Sequence, residues 1–94
     1  MRIQSIIWNG QFVEKLEVKH GVLTWEVEEV LFGECRIRRV GRGKVDGEDL
    51  YLALGQTLDG RYLSVFFILK KNGNALPISA RDMDQKERRL YGRR

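Results

Sequence analysis

The apolar residues of this 94-residue chain change their spacing at Gly33. Before it they recur every three to four residues, the repeat of a helix face; after it they recur every second residue, the repeat of a strand. Helices gathered ahead of strands predict an α+β domain rather than alternating parallel units. Ninety-four residues have room for one modest core, so residues 1–94 are expected to form a single domain.

Within that plan, Ile3 to Trp8 reads as a short strand ending on the turn signal Asn9-Gly10. Phe12, Val13, Leu16 and His20 share one stripe of a first helix over 11–20, and Gly21 supplies the left-handed residue that closes it. Thr24 is expected to cap a second helix, with Glu26 in its first turn, Val27, Val30 and Leu31 facing inward, and Gly33 as its stop. A strand follows from Cys35, with Val40 out of phase. Leu50, Leu52 and Leu54 line one face of the next strand, and Leu63, Val65, Phe67 and Leu69 the inner face of another. Asp59-Gly60 and Asn72-Gly73 are turn pairs. The second leads into a strand around Pro77, whose missing N–H suits an unpaired position. Asp84 and Glu87 have capping-box spacing for a last helix, with Met83, Leu90 and Tyr91 on one side. The predicted order is β-α-α-β-β-β-β-α, with an antiparallel sheet built from hairpins.

Charge is divided along the chain. Residues 1–35 hold three basic and six acidic residues, whereas residues 36–94 hold fourteen basic and seven acidic. Arg36, Arg38, Arg39, Arg42 and Lys44 crowd five cations into nine residues, and Arg88, Arg89, Arg93 and Arg94 form a second cluster. The arginine fork matches phosphate in a bidentate manner, so a polyanion, most simply RNA, is the expected partner. The same charges also suit an acidic protein surface, or a solvated face. One cysteine, Cys35, forms no internal disulfide and fits a reducing cytoplasm. No secretory leader or membrane-length apolar run is visible. Gly43-Lys44 lacks the earlier glycine of a phosphate loop, Gly41-Arg42-Gly43 lacks the third glycine of a dinucleotide fingerprint, and one histidine with one cysteine makes poor material for a transition-metal site. No metal and no cofactor are expected.

RNA carries its own nucleophile, the 2′-hydroxyl, so cutting it needs only a base, an acid and cations on the crowded phosphate. His20 is the one imidazole, although the end of a helix also gives it carbonyls to bond. Arg61 and Arg81, the latter between the last strand and the last helix, can each hold a phosphate or a surface carboxylate. Glu87 belongs to the capping box or to catalysis, and Tyr91 to the helix's inner face or to proton donation. Trp8 and Trp25 can stack bases or pack.

Taken together, Lys19-His20-Gly21-Val22, Glu26 to Phe32-Gly33, Leu54-Gly55, Gly60-Arg61-Tyr62-Leu63, Ile78-Ser79-Ala80-Arg81-Asp82-Met83 and Glu87-Arg88-Arg89 with Tyr91 resemble the BrnT toxin family over nearly the whole chain. Trp8 fits that family's early tryptophan. The resemblance implies a RelE-like fold and a cytoplasmic, metal-independent endoribonuclease that cleaves mRNA and inhibits translation and growth. It also implies neutralisation by a BrnA-like ribbon-helix-helix antitoxin, in one arrangement as a heterotetramer, which alone contacts DNA. By position it makes His20, Arg61, Arg81, Glu87 and Tyr91 the catalytic candidates, while the charge clusters themselves put Arg36, Arg38, Arg39, Arg42, Lys44 and Arg88 along the RNA. A non-catalytic basic RNA- or protein-binding module is the alternative. The chain departs from the family at Leu50 and Leu76, where arginine is frequent. The mechanism so implied requires His20, Arg61 and Arg81 to meet in one pocket.

Overall fold

The computed structural model describes residues 2–43 and 47–92. Its elements are β1 (Ser5–Ile6), α1 (Gly10–His20), α2 (Thr24–Phe32), β2 (Arg36–Gly41), β3 (Leu50–Gln56), β4 (Tyr62–Leu69), β5 (Asn74–Asp82) and α3 (Gln85–Gly92). The strands form one sheet in the order β1-β5-β4-β3-β2. β2 to β5 are antiparallel neighbours, as expected. β1 adds a two-residue parallel edge, pairing Ser5 with Asn74 and Ile6 with Ala75. The two helices therefore carry the chain from one edge of the sheet to the other, with α1 packing along β5 and α2 over β3 and β4.

Local chemistry explains the helix ends. The Asn9 side chain accepts the Gln11 N–H at 3.0 Å, so Asn9-Gly10 opens α1 instead of making a separate turn. Gly21 takes a left-handed φ of 61° and donates its N–H to the Glu17 carbonyl, a geometry that favours glycine. Thr24 does not cap α2. Leu23 occupies that position, and its N–H donates to Glu26 Oε1 at 3.0 Å. The capping box of α3 is complete: Asp84 N–H donates to Glu87 Oε1 at 3.0 Å and Glu87 N–H to Asp84 Oδ1 at 2.8 Å.

Both faces of the sheet are used. Leu16, Val22, Val27, Val30 and Leu31 of the helical segment bury Ala53, Leu63, Val65, Phe67, Ala75 and Ala80 on the first face. Leu52 and Leu54 point the other way and pack with Tyr91, flanked by Tyr62, Phe66, Met83 and Leu90, beneath α3. Gly55 lets α2 press onto β3, since a Cβ there would lie 2.9 Å from Val30 Cγ1 and 3.0 Å from Cys35 Cβ. Val40 is out of phase because the β2–β3 register shifts between Arg39 and Gly41. A second shift beside Pro77 accommodates the missing donor. β5 continues to Asp82, so Arg81 belongs to the strand and not to the link after it.

Candidate functional site

Arg61 stands at the head of β4 and closes the corner between α1 and α2. Its Nε–H donates to Asp82 Oδ1 at 2.8 Å. Its Nη1 donates to the Gly21 carbonyl at 2.9 Å and to Glu26 Oε1 at 3.0 Å. Its Nη2 reaches the His20 carbonyl at 3.3 Å and Asp82 Oδ2 at 3.4 Å. A guanidinium has five N–H donors, and all five are used here. Hydrogen bonds from Arg61 are the main reason the Asp82 carboxyl sits below its ordinary range, against a smaller opposing effect of burial and with a minor contribution from the charge of His20.

Arg81 holds a different carboxylate. Its Nη1 and Nη2 donate to Glu87 Oε1 and Oε2 at 2.7 and 2.9 Å, a bidentate pair. Nη1 also donates to the Asp82 carbonyl at 3.3 Å, and the guanidinium carbon lies 5.6 Å from the Phe66 ring centre. Buried Glu87 further accepts from Ser64 Oγ at 2.8 Å. Burial pushes the Glu87 carboxyl up, but the bonds from Arg81, the Asp84 N–H and Ser64 outweigh it and hold the group below its usual range. Such a carboxylate stays ionised and orients Arg81. The Arg81 Nε–H and one Nη2 N–H have no partner among the described residues.

These two arginines lie on opposite faces of the sheet. Asp82 is opposite Leu63, on the face covered by α1 and α2, and Arg81 is opposite Ser64, on the α3 face. The expected meeting of His20, Arg61 and Arg81 in one pocket does not occur. His20 joins Arg61 through its carbonyl, while Arg81, Glu87 and Tyr91 gather under α3.

The basic run divides in the same manner. Arg36 and Arg38 are paired in register with Leu54 and Leu52 and so share the α3 face. Arg36 Nη1 donates to the Leu90 carbonyl at 2.7 Å, near the end of α3. Arg39 points to the other face and pairs with Asp49 at 2.7 Å, which removes it from that set. Arg42 lies just beyond β2 and is exposed; Lys44 lies outside the described residues. Arg88 stacks on Tyr62, 3.8 Å from the ring centre. Arg88, Arg89, Tyr62, Tyr91, Gln56 and Gln85 line an open cleft of about 600 Å³. No carboxylate of a described residue forms an ion pair with Arg36, Arg38, Arg88 or Arg89. Among the described residues no three His, Cys, Asp or Glu side chains come together as a metal site, and no helix is long and apolar enough to cross a membrane.

A family model described as "Ribonuclease toxin, BrnT, of type II toxin-antitoxin system" matches residues 8–87. The chain belongs to the BrnT family of ribonuclease toxins. The fold is also similar to the 1.1 Å crystal structure of the Brucella abortus ribonuclease toxin BrnT, with a TM-score of 0.62 and 19% identity, over 86% of this chain and 97% of that one. No curated relative matches the chain. As a type II family member it has an antitoxin partner.

Sequence reasoning missed several residues that organise this BrnT chain. Ser64 was hidden because it alternates with the apolar residues of β4 and so reads as solvent-facing. Tyr62 follows the same parity. Glu26 and Asp82 are visible as charges, but only the packing of α2 and the β4–β5 register bring them to Arg61. Trp8 packs against the core and donates its indole N–H to Glu28 at 3.2 Å, whereas Trp25 is exposed.

Proposed function

We propose that the 94 residues act as one toxin domain that cuts mRNA on the α3 face of the sheet, without a metal ion, in the cytoplasm, and thereby arrests translation and growth. The observation that carries this reading is the set of arginines with no carboxylate partner among the described residues: Arg88 and Arg89 line the cleft that also holds Tyr62 and Tyr91, and Arg36 and Arg38 line a smaller hollow beside Leu90 of α3. In this mechanism Arg88 and Arg89 neutralise the scissile phosphate while Arg36 and Arg38 hold the flanking strand. Arg81, aimed by Glu87, offers its remaining donors to the charge that builds on phosphate oxygens. The 2′-hydroxyl attacks phosphorus and the 5′-oxygen leaves. Tyr62 and Tyr91, beside the cleft, are the side chains able to relay protons. His20 and Arg61 act on the other face, where they hold the α1–α2 corner.

The antitoxin on this reading is a ribbon-helix-helix protein, assembled with the toxin as a heterotetramer and making the only contacts with DNA. A second reading, a basic module that binds RNA or protein without cutting, is favoured by the position of the one imidazole away from the cleft. End-labelled RNA incubated with purified protein in EDTA separates them. Cutting that disappears in Arg88→Ala/Arg89→Ala supports the nuclease; salt-sensitive binding with intact RNA supports the module.

A further inference from the structure

Leu50 on β3 and Leu76 on β5 flank Ile68 of the intervening strand β4. Leu50 is opposite Ile68 on β3 and β4, and the same Ile68 is opposite Leu76 on β4 and β5. The three are partly exposed and form an aliphatic row across three strands. By the alternation of β3, in which Leu52 and Leu54 pack beneath α3, Leu50 lies on the same face one step beyond them.

α3 is eight residues long and leaves this row uncovered. An open groove of about 480 Å³ runs here, floored by Leu50, Ile68 and Ile78 and walled by Phe12 of α1. Its rim carries Arg42 and Lys70, the latter paired with Glu48 at 3.0 Å. Arg38 stands beside Leu52 on the neighbouring strand, and Arg81 lies over Phe66 on β4, two residues before Ile68. The groove is therefore continuous with the arginine surface assigned above to RNA, yet its floor offers no donor to a phosphate.

We infer that this groove, extended by Leu76 next to Ile68 on the neighbouring strand, is where the antitoxin seats a segment of aliphatic side chains flanked by acidic residues, its aliphatic side chains on the Leu50–Ile68–Leu76 row and its carboxylates on Arg38, Arg42 and Arg81. Such a segment competes with RNA because it takes the same cations, and the row supplies an apolar contact that a polyanion cannot use. The inference rests on the α3 face being the RNA face. Two arginines would raise affinity for either anionic partner, whereas two leucines beside an isoleucine favour only the protein.

The test uses the full-length toxin and its cognate antitoxin. Affinity for the antitoxin and for a 2′-O-methyl RNA that cannot be cut are measured side by side. The variants are Leu50→Arg/Leu76→Arg and, as a milder strand-compatible change, Ile68→Thr, each verified as folded by circular dichroism. Antitoxin binding weakened about tenfold or more, with RNA binding unchanged or tighter, is the expected result. Antitoxin affinity within about twofold of wild type in both folded variants overturns the inference. A parallel loss of RNA affinity also overturns it, by making the row an RNA contact. Arg88→Ala/Arg89→Ala is measured alongside. If it leaves RNA binding untouched while the leucine variants lose the antitoxin, the RNA assignment fails and the docking surface stands.

Discussion

Arg61 and Arg81 are bound to carboxylates on opposite faces of one sheet, Arg61 to Asp82 and Arg81 to Glu87. The pleat causes the separation, because residues 81 and 82 are adjacent in β5 and point in opposite directions. One cation stabilises the helical corner and the other is held on Glu87 at the sheet–α3 contact.

Arg61→Ala removes the donor to the Gly21 and His20 carbonyls and leaves Glu26 with the Leu23 N–H but without its cation. A cost of about 2 kcal/mol is expected, below that of a fully buried pair because Asp82 faces water. Urea unfolding measures it. Cleavage per folded molecule is expected to persist; stability unchanged with cutting abolished would place Arg61 on the RNA.

Ser64→Ala removes one of the donors to Glu87 inside the sheet–α3 contact, at a cost of about 1 kcal/mol. Glu87→Gln is expected to do more, since a neutral amide cannot match the Arg81 fork. Turnover should fall while RNA affinity, supplied by Arg36, Arg38, Arg88 and Arg89, remains near wild type. Single-turnover cleavage with separate binding titrations resolves the two effects.

Folding favours the ionised forms of Asp82 and Glu87, whose pKa values lie below those of the unfolded chain. Their contribution is complete above the ordinary carboxylate range, near about pH 4, and is lost as pH falls through the lowered folded values. Urea midpoints should therefore drop on acidification, and less steeply in Glu87→Gln. Equal slopes in both proteins would contradict the assignment.

Arg36→Ala/Arg38→Ala is expected to reduce the salt dependence of RNA binding by roughly one unit of slope for each phosphate no longer neutralised. Arg39→Ala, with its partner Asp49 on the opposite face, should leave the slope unchanged. Identical slopes for the two variants would remove β2 from the RNA path.

Gly55→Ala forces a methyl group against Val30 and Cys35 and should cost about 1–3 kcal/mol through displacement of α2. Thermal denaturation reads it directly; a neutral result would mean that α2 shifts freely.

Elements governed by local chemistry are legible in the sequence. The stop at Gly21, the box at Asp84 and Glu87 and the inner face Leu63-Val65-Phe67 all follow from neighbours a few residues apart. The face of each arginine is not legible, because it depends on parity carried across strands, and the register shifts beside Pro77 and after Arg39 break any count along the chain. Leu50, Leu52 and Leu54 read as one face, but the pattern does not say which side of the sheet that face joins. Engagement of all five Arg61 donors is equally hidden, since its partners come from positions 20, 21, 26 and 82.

The parallel pairing of Ser5 and Ile6 with Asn74 and Ala75 sets an order of assembly. The first strand finds its neighbour only after most of the polypeptide has been made, and Arg81 gains its carboxylate partner only when the final helix has followed. A nascent or truncated copy therefore lacks both the closed sheet edge and the aligned guanidinium. Closure of the sheet edge and alignment of Arg81 are in this way late events of folding.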